Sequence, residues 1–553
     1  MRIFPKRVPT VILAAVVLGT LMFPGNTSIV NANHHDDDDV MPTFEYRSID
    51  GSGNNLMNHG YGKAGILLLR MSGVDYEDGK SKPAGESRPS PRVISNIVVA
   101  QDESITNSAK ASDMVWQWGQ FLDHDMDLTP PATPLEPFPI PVPECDPSFD
   151  PLCTGGQIIP FNRSIHDGGH TRKNPRQQIN VLTAFVDASN VYGSDDTTAK
   201  ALRTLSGGKL KTSEGDFLPF NGAGPFYLAG DVRVNEQIFL TAVHTLFVRE
   251  HNRLADEVAT KYQGMSDEQI YQFVRRIVGA QMQVITYKEF LPLVLGGDAI
   301  PEYNGYKPKV NPGIANEFST ASFRFGHSLL SPNVLRITNS GDVVAVPLKD
   351  AFFNPTLVPV DDGIDSMLRG LAAQRAQEMD NMIVNDVRNL LFVIPGGGLD
   401  LASLNMQRGR DHGLPDYSTV RAAYGLPRIT SFAEISSNPE VQDALESAYG
   451  NVNDIDLWVG GLAEDHAPGA LVGETVRAVL ADQFTRLRDG DRLWYQNDPF
   501  FSYYTDWMEE VEETTLSDII KRNTNIGNEL QDNVFMCAAP KNLLSGDWKQ
   551  FCN

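Results

Sequence analysis

Residues 116 to 128 read Trp-Gln-Trp-Gly-Gln-Phe-Leu-Asp-His-Asp-Met-Asp-Leu. Apolar residues recur at three- and four-residue spacing over 113–128, which predicts a helix. This helix also carries titratable groups, which are costly to bury unless they are used or paired. Gln120, Asp123 and His124 fall within roughly 100° of one another, whereas Asp125 points roughly 100° away from His124. The stretch therefore predicts a core helix that presents two different polar sites.

The same helical periodicity recurs in four further segments: 236–261, 267–288, 364–393 and 471–488. Strands are expected to be few and short, and the sequence contains no internal repeat, heptad run or long Gly/Ser linker. The proline-rich segment 130–145 cannot be helical, so we expect an extended loop that the first cysteine pair closes. The pattern favours a mainly α fold, with residues 46–553 in a single large helical domain.

The N-terminus has the order of a secretory signal peptide. Arg2, Lys6 and Arg7 precede an apolar run over 11–23 and small residues up to position 32. That run is shorter than the roughly 20 residues that a membrane-spanning helix requires. We therefore predict a signal peptide over 1–32, secretion, and no membrane span after cleavage. An acidic arm follows over 33–45; its His-His-Asp-Asp-Asp-Asp tract is typical of a solvated segment, with metal binding as the alternative.

The composition excludes several classes of partner and favours export. The formal net charge is −24 and no basic block occurs, which excludes nucleic acid and anionic membranes as partners. The four cysteines fall into two local pairs, which suits an exported protein with disulfides. Three pairings are open, and the short spacing favours Cys145 with Cys153 and Cys537 with Cys552.

Two candidate sites follow from the residues themselves. Gln120 and His124 are four residues apart and could hold a small polar ligand, with the histidine as acid or base. The alternative is a buried histidine that bonds within its own helix. The second site is the segment 183–189, Thr-Ala-Phe-Val-Asp-Ala-Ser, whose alternating oxygen groups suit calcium, with Asp125 as a further ligand. An ordinary turn with Asx and Ser/Thr hydrogen bonds is the alternative.

Taken together, the motifs resemble the animal-type haem peroxidase superfamily, which includes lactoperoxidase, myeloperoxidase and peroxidasin and has bacterial members. The similarity is ordered along nearly all of the chain after residue 45. Its main segments are Trp-Gly-Gln-Phe-Leu-Asp-His-Asp at 118–125, Phe-Val-Asp-Ala-Ser-Asn-Val-Tyr-Gly-Ser at 185–194, Gly-Asp-Val-Arg-Val-Asn-Glu at 230–236, Phe-Arg-Phe-Gly-His at 323–327 and Asn-Met-Gln-Arg-Gly-Arg-Asp-His-Gly-Leu-Pro at 405–415.

The resemblance implies a role for each matching residue. His124 and Arg233 would act on peroxide above a haem b, with Gln120 ordering water or halide. His327 would bind the haem iron, and Asn405 would accept the remaining ring N–H of that histidine. Asp123 and Glu236 match the carboxylates that the family esterifies to haem. The calcium site matches at five residues: Asp125, Thr183, Phe185 (through its carbonyl), Asp187 and Ser189.

The activity that the resemblance implies is the reduction of hydrogen peroxide and the oxidation of small donors through an oxo-iron(IV) haem radical. The donors would be iodide, bromide, thiocyanate or phenols. Myeloperoxidase carries a methionine immediately after the second ester residue, and this methionine forms a third, sulfonium link to the haem. Here the residue is Gln237. We therefore expect at most two ester bonds, as in lactoperoxidase, and inefficient chloride oxidation.

Two other functions compete with this interpretation. A fatty-acid dioxygenase of the same superfamily would carry a tyrosine three residues before the iron ligand, where this chain has Arg324. A catalytically silent, secreted calcium-binding or adhesion protein would lack part of the peroxide-binding set. Arg324 and Arg408 suit haem propionates, with helix-packing salt bridges as the alternative. Structural or exposed roles are expected for the other histidines: His59, His166, His170, His244, His251, His412 and His466.

Overall fold

Helices form most of the regular structure in the computed structural model of the chain, which describes residues 43–168, 170–222, 224–394, 397–538, 540 and 552. Five of the longer helices are Met114–Met126, Ile238–Lys261, Asp267–Ile285, Leu401–Asp411 and Glu474–Asp489. The remaining α-helices are Pro91–Ile94, Ser189–Tyr192, Asp196–Leu202, Leu291–Leu295, Asn316–Thr320, Leu348–Ala351, Ile364–Ala373, Asn385–Arg388, Tyr417–Ala423, Pro439–Tyr449, Leu457–Ala463, Pro499–Tyr503, Thr505–Glu513 and Leu516–Asn523.

Tighter and wider helical turns connect these elements. The 3-10 helices are Ser322–His327, Pro355–Leu357, Phe432–Glu434 and Val452–Asp454, and the π-helical turns are Ser95–Val99 and Thr286–Phe290. The strands pair two by two: Ile66–Leu67 with Ile179–Asn180, Ala100–Gln101 with Ile383–Val384, Ile140–Pro141 with Ile158–Ile159, Asn333–Ile337 with Val343–Pro347, and Leu391–Ile394 with Gly397–Leu399. The prediction of a mainly α fold with few short strands is confirmed.

The helix Met114–Met126 lies at the centre of the packing. It contacts the helices Ser189–Tyr192 and Ile238–Lys261 and the 3-10 helix Ser322–His327. Trp118 and Phe121 are fully buried and pack against Phe247 with ring centroids 5.8 and 5.1 Å away. Burying aromatic side chains of this size contributes a large share of core stability. The aromatic side of this helix therefore fixes the position of its polar side.

The predicted helix over 364–393 is wrong beyond Ala373. The helix Ile364–Ala373 ends there, and the next residues run extended beside the segment that precedes Met114. The backbone N–H of Asp113 donates to the carbonyl of Gln374 (2.9 Å), and that of Ala376 donates to Ala111 (3.0 Å). Tertiary hydrogen bonds thus override the local helical pattern. The same pairing anchors the start of the helix Met114–Met126.

Other sequence predictions compare well with the structure. The segments 236–261 and 471–488 form helices within about three residues of their predicted ends, and 267–288 continues through a π-helical turn to Leu295. The segment 130–145 contains no α-helix, and the two expected disulfides are present. The described residues from Glu45 onward form one compact unit.

The predicted signal peptide and all but the last three residues of the predicted acidic arm lie outside the described residues. None of the described helices combines the length and the apolar character that crossing a bilayer requires.

Candidate active site

One large cavity lies beside the helix Met114–Met126 and the 3-10 helix Ser322–His327. Its volume is about 320 Å³, within the roughly 300–1,000 Å³ that is common for pockets of drug-sized ligands. His124, Arg233 and His327 all line it. Three residues that are far apart in the sequence therefore share one cavity of the size of a ligand pocket.

Eleven of the lining residues form two groups, which we call walls. The His124 wall consists of Gln120, Asp123 and His124 from the helix, and of Arg233 and Glu236 from the turn before Ile238. The His327 wall consists of Arg324 and His327 together with the apolar residues Phe325, Leu330, Leu401 and Leu404.

Arg233 is held from three directions in the His124 wall. Its guanidinium donates to Asp231 (2.9 Å), to Asp123 (3.0 Å) and to the backbone carbonyl of Asp127 (2.8 Å). Burial alone would lower the pKa of Arg233, but the two carboxylates hold it above its ordinary value. A fixed and permanently charged guanidinium therefore faces the cavity.

His124 is buried beside Arg233. Its Nδ1 lies 3.6 Å from Oδ1 of Asp231 and has no hydrogen-bond partner among the described residues, while its Nε2 lies 3.9 Å from Oε2 of Glu236. Burial and the charge of Arg233 lower the pKa of His124 well below its ordinary value. The imidazole is therefore neutral near pH 7 and able to accept a proton.

A chain of amides sets the orientation of Gln120. The Gln237 amide donates to Oε1 of Gln120 (3.0 Å) and to Oε1 of Gln117 (2.5 Å). Gln237 also caps the helix Ile238–Lys261, because its own oxygen accepts from the N–H of Phe239 (2.7 Å). The Gln120 nitrogen is thereby left to donate to Glu236 (3.1 Å).

The two cavity carboxyl groups are unusual in their acidity. Burial raises the pKa of both Asp123 and Glu236 to about 7. Their side chains nevertheless keep 29% and 30% of their area accessible, because they border the cavity. Both groups are therefore reachable by a ligand and costly to leave ionised.

The imidazole in the His327 wall has a single amide neighbour. The Asn405 amide nitrogen lies 2.8 Å from Nδ1 of His327, and the Asn405 oxygen accepts from Nη1 of Arg324 (3.1 Å). Amide nitrogen and oxygen are interchangeable by a half turn of the group. Burial lowers the pKa of His327 to about 3, with a smaller contribution from Arg324. The ring is therefore neutral and held through Nδ1.

Arg324 and Arg408 differ in position. Arg324 borders the cavity and also donates to the carbonyl of Ser319 (2.9 Å). Arg408 is not among the lining residues; it donates to Asp411 (3.0 Å) and Ser164 (2.7 Å). Arg408 thus makes a salt bridge within its own helix, Leu401–Asp411, and not a contact with the cavity.

The oxygen-rich cluster lies behind the His124 wall. Asp125 accepts from the N–H groups of Asp187 (3.0 Å) and Ala188 (3.2 Å), and its carbonyl accepts from the Ser189 hydroxyl (2.6 Å). Thr183 donates to Oδ1 of Asp187 (3.1 Å), whereas Oδ2 of Asp187 is buried without a partner among the described residues. Phe185, in the same loop, is fully buried.

This cluster has the electrostatics of a cation site. Burial raises the pKa of Asp125 to about 8, with a further contribution from Asp187, and burial also raises that of Asp187. A divalent ion would neutralise both carboxylates and pair with the unpartnered Asp187 oxygen. All five residues predicted to bind calcium therefore lie in two buried segments that contact each other, one around Asp125 and the other over 183–189.

Sequence reasoning did not single out Asp231 or Gln117. Asp231 stands two residues before Arg233. Its Oδ1 accepts from both the backbone N–H and the guanidinium Nε of Arg233 within one tight turn. The sequence did offer a signal for Asp231, because an acidic residue lies close to a candidate catalytic arginine in the motif 230–236. Gln117 gave no signal, because its partner Gln237 is 120 residues away.

Comparisons with known proteins agree with these features. Residues 46–535 match the family described as animal haem peroxidase. Peroxinectin A of Dictyostelium discoideum is 38% identical over 89% of this chain and 96% of its own length, and mouse myeloperoxidase is 37% identical over 90% and 77%.

Solved structures give the same picture. Peroxidase A of Dictyostelium discoideum superposes with a TM-score of 0.83 at 37% identity, covering 89% of this chain and all of that one. A fatty acid α-dioxygenase of Arabidopsis thaliana reaches a TM-score of 0.76 at 21% identity over 91% of this chain and 84% of its own, which is a likeness of fold alone.

Proposed function

Since this chain belongs to the animal haem peroxidase family and is a haem peroxidase, we propose that His124, Arg233 and His327 carry its reaction with hydrogen peroxide. The observation that supports this assignment is that the three side chains line one cavity. The proposed donors are iodide, bromide, thiocyanate or phenols.

The cavity suits haem b in shape and chemistry. Its volume and the apolar side chains Phe325, Leu330 and Leu404 fit a flat, mostly apolar macrocycle. The neutral His327 offers Nε2 to iron, because Asn405 occupies its Nδ1 side. With iron bound, Nδ1 would carry the proton and the Asn405 amide would present its oxygen to the ring. Arg324 would then lose its bond to that oxygen and could pair with a propionate.

His124 is the proposed acid and base. Its Nδ1 proton is favoured on the side of Asp231, which leaves Nε2 to take the peroxide proton and to return it to the departing oxygen. The low pKa of His124 keeps Nε2 unprotonated before peroxide arrives. Bound haem supplies the redox chemistry that cleaves the O–O bond and withdraws electrons from the donor.

Arg233 stabilises the negative charge that develops as the O–O bond breaks. Asp231 and the Asp127 carbonyl hold its guanidinium in place before the reaction, so little reorganisation is needed. Asp231 is therefore a positioning residue, because it acts through Arg233 and His124.

Asp123 and Glu236 are the proposed points of ester attachment for haem. Both border the cavity, and burial raises the pKa of each to about 7. An ester carries no charge, so attachment would remove the cost of burying the two carboxylates. Gln237 offers no sulfur, so a third link is absent and chloride oxidation is expected to be inefficient.

Acid–organic extraction tests the ester links. Haem should remain with the polypeptide in the parent protein and in each of the single variants Asp123→Asn and Glu236→Gln, and should be released from the double variant. Complete release from the parent would contradict covalent attachment.

Calcium is the proposed ion of the Asp125 and Asp187 cluster. The buried, unpartnered Oδ2 of Asp187 supports it, as does the mixture of carboxylate, hydroxyl and carbonyl oxygens.

Secretion is proposed from residues 1–32, since their order is that of a signal peptide.

Peroxide turnover by the haem-loaded protein tests the proposed function. Iodide, bromide, thiocyanate and a phenol should each be oxidised only when peroxide is present, and a polyunsaturated fatty acid with oxygen alone should yield no hydroperoxide. Formation of hydroperoxide would favour the dioxygenase alternative, against which Arg324 argues. Haem binding without peroxide turnover would favour the silent calcium-binding protein.

A further inference from the structure

Two histidines and an aspartate converge on a surface loop that has no part in the proposed reaction. They are His166, Asp167 and His170, which follow the proline-rich segment and do not line the cavity. One ligand-type atom of each residue lies within 4.8 Å of the others. The sequence predicted structural or exposed roles for both histidines.

We propose that His166, Asp167 and His170 form a binding site for a divalent transition-metal ion such as Zn²⁺. This site is separate from haem and from the oxygen-only cluster at Asp125.

The separation of the two rings suits a shared ion. Nδ1 of His166 lies 3.0 Å from Nε2 of His170. Two nitrogens bound to tetrahedral zinc at about 2.0–2.1 Å are roughly 3.3–3.4 Å apart. A shift of a few tenths of an ångström in the exposed His170 ring would therefore admit the ion. The backbone carbonyl of Asp167 also contacts Nδ1 of His166 and is a further potential oxygen ligand.

An outer carboxylate orients His166 from its other side. Nε2 of His166 lies 3.1 Å from Oε1 of Glu136, and the second Glu136 oxygen accepts from the buried Arg176 (2.6 Å). A carboxylate behind the non-ligating nitrogen fixes the ring tautomer in many metal sites. The Asp167 carbonyl can only accept, so its contact favours a proton on Nδ1 in the ion-free ring. When the ion binds, the proton lies on Nε2 beside Glu136 and the Nδ1 lone pair becomes the ligand.

Asp167 is anchored before any ion arrives. Its Oδ1 accepts from the N–H of Gln177 (3.0 Å), and its own N–H donates to the Gln177 carbonyl (2.8 Å). A carboxylate has lone pairs beyond those that one hydrogen bond uses. Two of the three ligands are therefore held by the protein frame, which lowers the entropy lost on binding.

The ligand types select the class of ion. Imidazole nitrogen suits Zn²⁺, Cu²⁺ and Ni²⁺, whereas Ca²⁺ prefers oxygen alone. Three protein ligands leave an open position for water.

Calorimetric titration of the full-length, haem-loaded and calcium-saturated protein with Zn²⁺ tests the proposal. His34→Asn and His35→Asn are introduced into every sample, so that the N-terminal histidines do not compete. Substituting His170→Asn should weaken one Zn²⁺ site at least tenfold, and Glu136→Gln should weaken it roughly tenfold through the outer contact. The exposed His59→Asn is the matched control and should leave binding unchanged.

A second measurement identifies the ligands. The electron paramagnetic resonance spectrum of added Cu²⁺ should show coupling to two nitrogens in the parent and to one in His170→Asn. The thermal midpoint and peroxidase activity of His170→Asn should match the parent, since the residue is exposed and outside the cavity. Equal Zn²⁺ affinity in the parent and His170→Asn would overturn the proposal and reduce the ring contact to a hydrogen bond.

Discussion

The His124 wall and the His327 wall of the cavity differ in how many polar groups they hold and in how those groups are bonded. In the His124 wall, Arg233 bonds to Asp123 and Asp231, while Gln120 bonds to Glu236. In the His327 wall, the imidazole has the single amide neighbour Asn405 among mostly apolar side chains.

This difference follows from what each wall has to do. Moving a proton and stabilising a developing charge requires several ionisable groups, and each must be paired to offset the cost of burial. Holding a ligand atom requires one ring in one orientation, which a single amide can fix. A dense polar network therefore belongs to the reacting wall and a sparse one to the binding wall.

Replacing His124 should give the largest difference between an effect on the peroxide reaction and an effect on haem binding. His124→Ala removes the proposed acid and base, so the rate of reaction with peroxide should fall about 10²- to 10⁴-fold. The haem content should be unchanged, because His327 and Asn405 remain. Stopped-flow absorbance at limiting peroxide gives the rate, and the haem-to-protein absorbance ratio gives the content.

The reciprocal variant His327→Ala sharpens this test. His327→Ala should bind less haem per chain as well as react more slowly with peroxide. The exposed His59→Ala should change neither quantity. Loss of haem in His124→Ala would show that the His124 side chain itself helps to hold the cofactor.

Arg233 should have the next largest effect. Arg233→Lys keeps the charge but not the fork that bonds to Asp231 and Asp123, so the peroxide rate should fall about 10²- to 10³-fold. Asp231→Asn should slow the reaction less, because Arg233 keeps Asp123 and the Asp127 carbonyl. An equal loss in both variants would contradict this order and would mean that Asp123 and the Asp127 carbonyl cannot hold Arg233 in place without Asp231.

The two walls also differ in how far they could be predicted from sequence. The main groups His124, Arg233 and His327 were identified because the motifs that contain them resemble those of a known family. Gln117 and Asp231 were missed, because their value arises from bonds formed only in the fold. The helix predicted to continue beyond Ala373 failed for the same reason, since pairing with the residues before Met114 overrides local periodicity.

Asn405 should affect binding more than reaction. Asn405→Ala removes the partner of Nδ1 in His327, so haem affinity should fall about 10- to 100-fold. The peroxide rate of the fraction that retains haem should change less than in Arg233→Lys. Haem transfer to an apo-globin acceptor, measured in the Asp123→Asn/Glu236→Gln background so that no ester holds the haem, gives the affinity. A larger loss of rate than of affinity would contradict the division between the walls.

Removal of calcium should give the smallest effect and should act on the His124 wall alone. Asp125, next to His124, joins that wall to the loop with Asp187 by accepting from the Asp187 N–H. An ion present at a hundredfold excess over its Kd stabilises the folded state by about 2.7 kcal/mol. Chelation should therefore lower the thermal midpoint by a few degrees and slow the peroxide reaction while leaving haem bound.

The variant Asp187→Asn should respond little to chelation, because one of two charged ligands is gone. Asp195→Asn is its matched control, since this exposed residue caps the helix Asp196–Leu202 and asparagine caps as well. It should keep the full chelation response. If chelation released haem as readily as it slowed the reaction, the calcium cluster would support both walls. The two walls would then differ in their chemistry but not in how far their stability depends on calcium.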